Sequence, residues 1–382
     1  MDERIARSCH ADGMKQAFLW ALLPILLLVP TAPDAAYAQI VTNITSSGLG
    51  TVVPLQPPSD GVYNITGGTR PGVNGLNLFH SFGDFTVGPG DIANFLNNTG
   101  LETSNIIGRV TELGVEHTSY IYGTIRTTDF GDANLFLVNP SGIVFGPQGS
   151  FDVGGSVSMS TADYLRFEGH SALFDTLSSP ASLGLLDVAP VVAFGFTSLE
   201  PPAPITVQGS LLQVPEGKAL SLVGGDITLQ AEPFEDGTMQ AANLRAPGGQ
   251  LNLVSVASPG EVLVPSFQTG PNIAGASFTT MGTVMLKEGA TLDVSGQLDE
   301  FGAPIGNGNS GTVFVRGGQL VMEASTIQAI TWGSVDGERA AVDIQVSQAV
   351  ALTSATIVTL TFGSGRAGDV LLTAPTLTIE NA

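Results

Sequence analysis

Two stretches have the spacing of a phosphate-cradling glycine loop, Gly306-Asn-Gly-Asn-Ser-Gly311 and Gly363-Ser-Gly-Arg-Ala-Gly368. Such a loop holds a dinucleotide only when a helix follows it, because the helix N-terminus carries the partial charge that faces the pyrophosphate. Here Thr312-Val-Phe-Val315 and Asp369-Val-Leu-Leu372 follow, and both read as strands. The two matches are therefore expected to be turns. Metal and nucleophile chemistry has as little to draw on. Beyond residue 38 the histidines are His80, His117 and His170, not at ligand spacing, and there is no cysteine. No G-x-S-x-G elbow occurs, and the acidic residues form neither an EF-hand nor a calcium-binding glycine repeat. No cofactor, no metal and no enzymatic activity are expected. One alternative stays open: carboxylates far apart in sequence could meet across stacked coils, as in a β-helical enzyme acting on polysaccharide. Asn43-Ile-Thr, Asn64-Ile-Thr and Asn97-Asn-Thr fit a glycosylation sequon and equally suit turns and ladders.

The elements that would position any site are strands. Beyond residue 39 helical periodicity is nearly absent. Short runs of Val, Ile, Leu, Thr and Phe alternate with Gly, Asn, Asp and Pro, the punctuation of an all-β fold. In the second half a small-residue turn followed by alternating β-formers recurs. Counted at Ile227, Leu251, Val284, Val313, Ile344 and Val370, the steps are 24, 33, 29, 31 and 26 residues. A second short strand sits inside most units, as in Ala290-Thr-Leu-Asp-Val294. Periods of this size predict a solenoid, most naturally a right-handed parallel β-helix, with N-terminal capping strands and extra-helical hairpins. The last residues, Leu377 to Ala382, stop in mid-pattern with no polar cap, so a continuing or truncated chain is expected.

Composition agrees. Charged residues make up 12% of the chain and 48 residues are glycine, which suits closely stacked strands. The net charge is −21. That argues against nucleic acid, whose phosphates need a basic face. The N-terminus carries an export signal: Lys15, then the apolar run Ala17 to Val29, then the A-x-A site Ala36-Tyr37-Ala38. The apolar run is shorter than the ~20 residues that span a bilayer. Cleavage is expected before Gln39. Met14-Lys15 begins a tidier signal than Met1. The only cysteine, Cys9, lies in the part removed. A chain without disulfides suits passage, unfolded, through a second pore.

The most informative stretch runs from Phe79 to Leu165. Asn139-Pro140-Ser141-Gly142 has the residues of a type I turn, with Asn at i, Pro presetting φ at i+1 and Gly at i+3. Apolar strands flank it. Several segments follow in order: Phe79-His-Ser-Phe-Gly-Asp-Phe-Thr-Val87, Asn97-Asn98, Asn105-Ile-Ile-Gly-Arg109-Val110, Ile121-Tyr-Gly-Thr-Ile125, Ala133 to Gly146 and Val153 to Ala162. Together they resemble the N-terminal haemagglutination-activity domain of filamentous haemagglutinin-type exoproteins, which use two-partner secretion. The resemblance is dense over residues 40–165 and looser beyond. The family turn is usually Asn-Pro-Asn-Gly; here Ser141 replaces the second Asn. The second turn of some members, Asn-Pro-Asn-Leu, is absent, and Asn97-Asn98-Thr99 is the candidate for its place.

The resemblance implies a secreted or surface-exposed, adhesin-like exoprotein. It would pass through the general export machinery, then through an outer-membrane transporter barrel with periplasmic docking domains, and would meet a host-cell, surface or matrix receptor. It implies three parts: a signal peptide (1–38), a secretion domain (39–200) and continuing β-helix repeats (201–382). Asn97 to Ile143 is the stretch expected to be recognised. Its candidate residues are Asn97, Asn98, Asn105, Arg109, Asn134, Asn139, Pro140, Ser141, Gly142 and Ile143. For Asn139, Pro140 and Gly142 a role in folding alone is an equal alternative.

Overall fold

The computed structural model describes residues 40–72, 75–169, 173–176, 188–234, 236–263, 270–272, 278–334, 336–337 and 340–381. They form a parallel β-helix with three faces. The first face stacks Asn77–Thr86, Asn105–Val110, Asn134–Val138, Val157–Ser160, Ala219–Gly224, Gln250–Ser255 and the leading halves of Thr312–Glu323 and Ala340–Thr353, ending at Asp369–Thr373. The second face runs from Ser119–Ile121 through Ile143–Phe145, Ile205–Gln208, Ile227–Gln230 and Thr283–Leu286 to the trailing halves of the two long strands and Thr376–Glu380. The third face stacks Val62–Gly67, Ile92–Phe95, Thr124–Arg126 and Ser150–Asp152. It resumes with Leu211–Gln213, Asn243–Arg245, Thr291–Asp293, Thr326–Thr331 and Thr356–Thr361.

Inward side chains make continuous ladders. Leu78, Ile106, Leu135, Val157, Leu220, Leu251, Val313, Val342 and Val370 stand one above another on the first face. Every group of the ladder except Val370, which is 42% exposed, is buried in the core, and burial of each contributes about 1.5–3 kcal/mol. The six positions counted in the sequence do not share a face. Ile227 and Val284 pair on the second face, whereas Leu251 and Val313 pair on the first. Ile344 pairs with Val315, two positions along from Val313. The mixing arises because every face is built from the same short turn-plus-alternation unit.

The ends and sides are specialised. Asn43–Gly48 pairs antiparallel with Asn77–Thr86, and Thr51–Val52 pairs antiparallel with Val62–Gly67. These strands cap the first coil. A four-stranded antiparallel sheet, Leu173–Asp175, Tyr164–Phe167, Val191–Phe196 and Gly260–Leu263, leaves the coil path. Its apolar side covers the outward Phe79, Ile107 and Phe136 of the first face. First-face strands such as Ala219–Gly224 are consequently buried on both sides, while third-face strands such as Thr326–Thr331 alternate in and out. A small hairpin, Glu232–Pro233 with Met239–Gln240, projects at the corner between the second and third faces.

His80 stands on the inner side of the first coil, beneath the cap, 5.4 Å from the Phe95 ring and with Nδ1 3.3 Å from Thr51 Oγ1. Burial, helped by the charge of Arg70, pushes its pKa down to about 3. The folded state therefore holds a neutral imidazole where the unfolded chain binds a proton below about 6.5. Stability from this group is full above pH 6.5 and falls as pH drops toward 3. At pH 4.5 the loss should be about 2–3 kcal/mol. Thermal melts of wild type and His80→Gln from pH 7 to 4.5 check this: the variant should lose less stability over that interval. Parallel pH dependence of the two proteins would refute it.

Candidate functional site

Asn139-Pro140-Ser141-Gly142 forms the corner between a first-face strand and a second-face strand. The Gly142 N–H donates to the Asn139 carbonyl at 3.1 Å, closing the turn, and Gly142 takes φ +111°. Only glycine adopts that conformation without strain. The Asn139 side chain is fully buried. Its amide donates to the His117 carbonyl and to Ser119 Oγ, both at 2.9 Å, and its Oδ1 accepts the Ser141 N–H at 2.9 Å. One asparagine thus ties its own turn to the coil before it. Ser141 adds a second tie: its Oγ donates to the Glu112 carbonyl and accepts from the Gly114 N–H. A serine at this position therefore keeps the corner intact. Ile143, the next residue, points inward and is fully buried.

The neighbouring coil presents a short 3-10 turn, Val115–His117. His117 Nδ1 lies 2.6 Å from Asp84 Oδ1. That hydrogen bond, with the nearby charges of Asp84, Glu116 and Glu112, raises the His117 pKa above its ordinary value. Through its carbonyl, the same residue receives Asn139.

The remaining candidates fall into three environments. Asn97 opens a second turn, Asn97-Asn98-Thr99-Gly100, in which the Gly100 N–H donates to the Asn97 carbonyl at 3.3 Å. The Asn97 N–H donates to Asp129 Oδ2 at 2.6 Å, so this turn too is tied to an adjacent coil; Asn98 is exposed. Asn105 and Asn134 belong to an asparagine ladder begun by Asn77. Asn105 Nδ2 donates to Asn77 Oδ1 at 2.8 Å, and Asn134 Nδ2 donates to Asn105 Oδ1 at 3.0 Å. The Ser156 N–H then donates to Asn134 Oδ1. Arg109 is buried between the first face and the extra-helical sheet. Its Nε donates to Ser81 Oγ at 3.0 Å, it also donates to the Asp175 carbonyl, and its guanidinium lies 4.8 Å from the Phe174 ring centre. Burial lowers the Arg109 pKa, and the charge of Asp175 opposes that shift. Ala36, Ala38 and Gln39 lie outside the described residues, as does His170.

The structure thus brings Asn139, Pro140, Ser141, Gly142 and His117 together at one corner, and sets Asn77, Asn105 and Asn134 in a separate column. Sequence reasoning missed the groove beside that corner. It has a volume of about 510 Å³ and is lined by Leu113, Val115, Pro140, Phe196, Pro201 and Pro202 among others. Leu113 and Val115 leave 47% and 84% of their surface exposed there. The unusual pair Pro201-Pro202 was its only sequence signal. Among the described residues no three His, Cys, Asp or Glu side chains converge as metal ligands. On the third face Asp152 and Asp293 each pair with an arginine of an adjacent coil, Arg126 and Arg245.

The TPS secretion domain family matches residues 38–313. No curated protein matches the chain. Among solved structures, the secretion domain of HMW1 from Haemophilus influenzae is 12% identical, with a TM-score of 0.43 over 89% of this chain and 100% of that one. The filamentous hemagglutinin secretion domain is 14% identical, with a TM-score of 0.35 over 88% of this chain and 99% of that one. The family match covers well over half of the sequence, including the capping strands, the extra-helical sheet and the Asn139 corner, and the chain belongs to the TPS secretion domain family, the exoproteins of two-partner secretion.

Proposed function

We propose that this chain is exported as an adhesin-like exoprotein, and that its N-terminal part, residues 39–200, is the portion its outer-membrane partner reads. Residues 1–38 would be the signal peptide, cut before Gln39, that brings the chain to the periplasm. The docking domains of a transporter barrel then engage the stretch Asn97 to Ile143, and the chain threads through the barrel. Residues 201–382 continue the rod, which ends on the cell surface or in the medium. The observation that carries this reading is the family match over residues 38–313.

The physics of the fold supports it. Each coil needs only the coil before it, so folding can proceed rung by rung as residues emerge. The periplasm holds no ATP, and folding outside the pore removes the return path. Side chains that are buried or half-buried once folded, Asn105, Arg109, Asn134 and Asn139 among them, are accessible while the chain is still extended. The Asn139 corner can therefore serve twice: read by the partner in the extended chain, then locked to His117 and Ser119 outside.

Export of Asn139→Ala and Pro140→Ala variants tests this. With purified variants that still refold to the wild-type circular dichroism, a loss of extracellular protein of about tenfold or more is expected for Asn139→Ala. Normal export of both variants would remove the corner from the recognition stretch.

A further inference from the structure

We infer that the groove beside the Asn139 corner is a docking site for a protein segment that carries a large apolar side chain between lysines or arginines. The inference concerns the folded chain, and so goes beyond recognition of the extended stretch during export. One wall of the groove holds Leu113 and Val115, and the other holds Pro201 and Pro202, with Pro140 and Phe196 also in the lining. Its volume of about 510 Å³ suits the burial of an anchor side chain.

Both walls are fixed before anything binds. The bonds of Ser141 Oγ to Glu112 and Gly114 hold the first. On the second, Asp163 Oδ2 accepts the Thr197 N–H at 2.6 Å and the Thr197 hydroxyl at 2.7 Å. Thr161 Oγ1 donates to the Ala203 carbonyl at 2.8 Å. A site already held in shape loses little freedom on binding. Val115 still leaves 84% of its surface in water, and Leu199, on the loop of Pro201 and Pro202, leaves 90%. Large apolar groups exposed together around a hollow mark an interaction surface.

Charge selects the occupant. Glu112 and Glu116 flank Leu113 and Val115 in the chain, Glu200 precedes Pro201, and all three are exposed. Apart from Arg126 and Arg166, the chain holds no lysine or arginine from Val110 to Gly217. Those two arginines are paired with Asp152 and Glu261. His117, on the same turn as Val115, is hydrogen-bonded to Asp84 at 2.6 Å. Among the described residues Glu112 and Glu200 form no ion pair. A lysine or arginine brought to this rim gains from the field while its apolar neighbour enters the groove.

Other occupants fit less well. A second copy of this chain would offer Phe301, 86% exposed, but Asp299 and Glu300 precede it and would meet like charge. Nucleic acid and anionic lipid meet the same repulsion. A neutral glycan needs hydrogen-bonding side chains, and those of Ser141, Thr161 and Asp163 are spent on holding the walls.

Fluorescence anisotropy of labelled peptides mixed with the folded chain tests the site. The probes are Lys-Lys-Leu-Trp-Lys-Lys, Glu-Glu-Leu-Trp-Glu-Glu and Lys-Lys-Ser-Gly-Lys-Lys. The first should bind about tenfold more tightly than the other two, and more weakly as salt rises. Leu113→Ser and Val115→Ser should each weaken its binding about tenfold. Glu112→Gln with Glu200→Gln should reduce the salt dependence. Val115 is mostly exposed, so Val115→Ser stays informative if Leu113→Ser folds poorly. Leu55→Ser, an equally exposed change in the connection between Thr51–Val52 and Val62–Gly67, should leave binding unaltered. No binding of the first peptide, equal binding of either of the others, or undiminished binding by Val115→Ser would overturn the site.

Discussion

Gly311→Ala should destabilise the rod by about 3 kcal/mol, several times the effect of an alanine placed at a surface turn glycine. Gly311 lies at a corner between the third and first faces, directly against the backbone of Gly249 in the coil before it. A methyl group at Gly311 would fall inside the contact radius of the Gly249 carbonyl oxygen. That oxygen cannot retreat, because it accepts the Thr312 N–H at 2.9 Å in the ladder between coils. Gly249 is itself pressed in the same way against the Lys218 carbonyl, and Gly363 against that of Gly333. These glycines are required by close approach rather than by backbone angle. Gly302→Ala is the comparison: it has φ +79° but open space around it, and should cost only about 1 kcal/mol. Urea unfolding of the three proteins measures the difference. Equal losses for the two variants would show that coil contact at the corner is not the constraint.

Asn105→Ala is expected to cost about 2–3 kcal/mol, and to do so locally. Asn105 is the middle rung of the asparagine column. Its removal deprives Asn77 Oδ1 of a donor and Asn134 Nδ2 of an acceptor at once. Asn77 is almost fully buried, so water does not easily make up the loss. Hydrogen exchange should accelerate in Asn77–Thr86, Asn105–Val110 and Asn134–Val138, and stay unchanged in Thr312–Glu323, because a solenoid passes stability mainly between neighbours. Uniform acceleration along the whole rod would contradict that local picture. The same variant separates two roles for Asn105. If export falls only in proportion to lost stability, the side chain acts through the fold.

Much of the architecture was legible in the sequence because β-helices write their rules into short segments. The turn at Asn139 was readable from four residues, since Asn, Pro and Gly each satisfy a different backbone requirement. The two glycine-loop matches were readable as turns because strands, not helices, follow them, and Thr312–Glu323 and Asp369–Thr373 are those strands. The assignment of strands to faces was not readable. Residues that stack, such as Leu220 and Leu251, look the same as residues on different faces, such as Leu251 and Val284. Excursions hide the period further: the extra-helical strands intervene between Val157 and Leu220, which are direct neighbours in space.

The candidate site was half legible. Its turn could be named, but its partners could not. Asn105 and Asn134 read as residues of a family pattern, whereas a column of side-chain amides recurs only once per coil and leaves no local trace. Arg109 read as one member of the segment Asn105 to Val110. Its work, joining the first face to Phe174 and Asp175, depends on a sheet that a sequence pattern does not place. The groove beside Pro140 draws on residues from 113 to 203, too dispersed for any motif.

Export itself admits the most direct measurement. The chain is followed by immunoblot in periplasm, on the cell surface and in the medium of the bacterium that makes it, with its outer-membrane partner barrel present or deleted. With the barrel, the protein is expected outside the cell; without it, the processed chain beginning at Gln39 is expected in the periplasm. Equal amounts outside the cell in both strains would contradict a two-partner route for this protein.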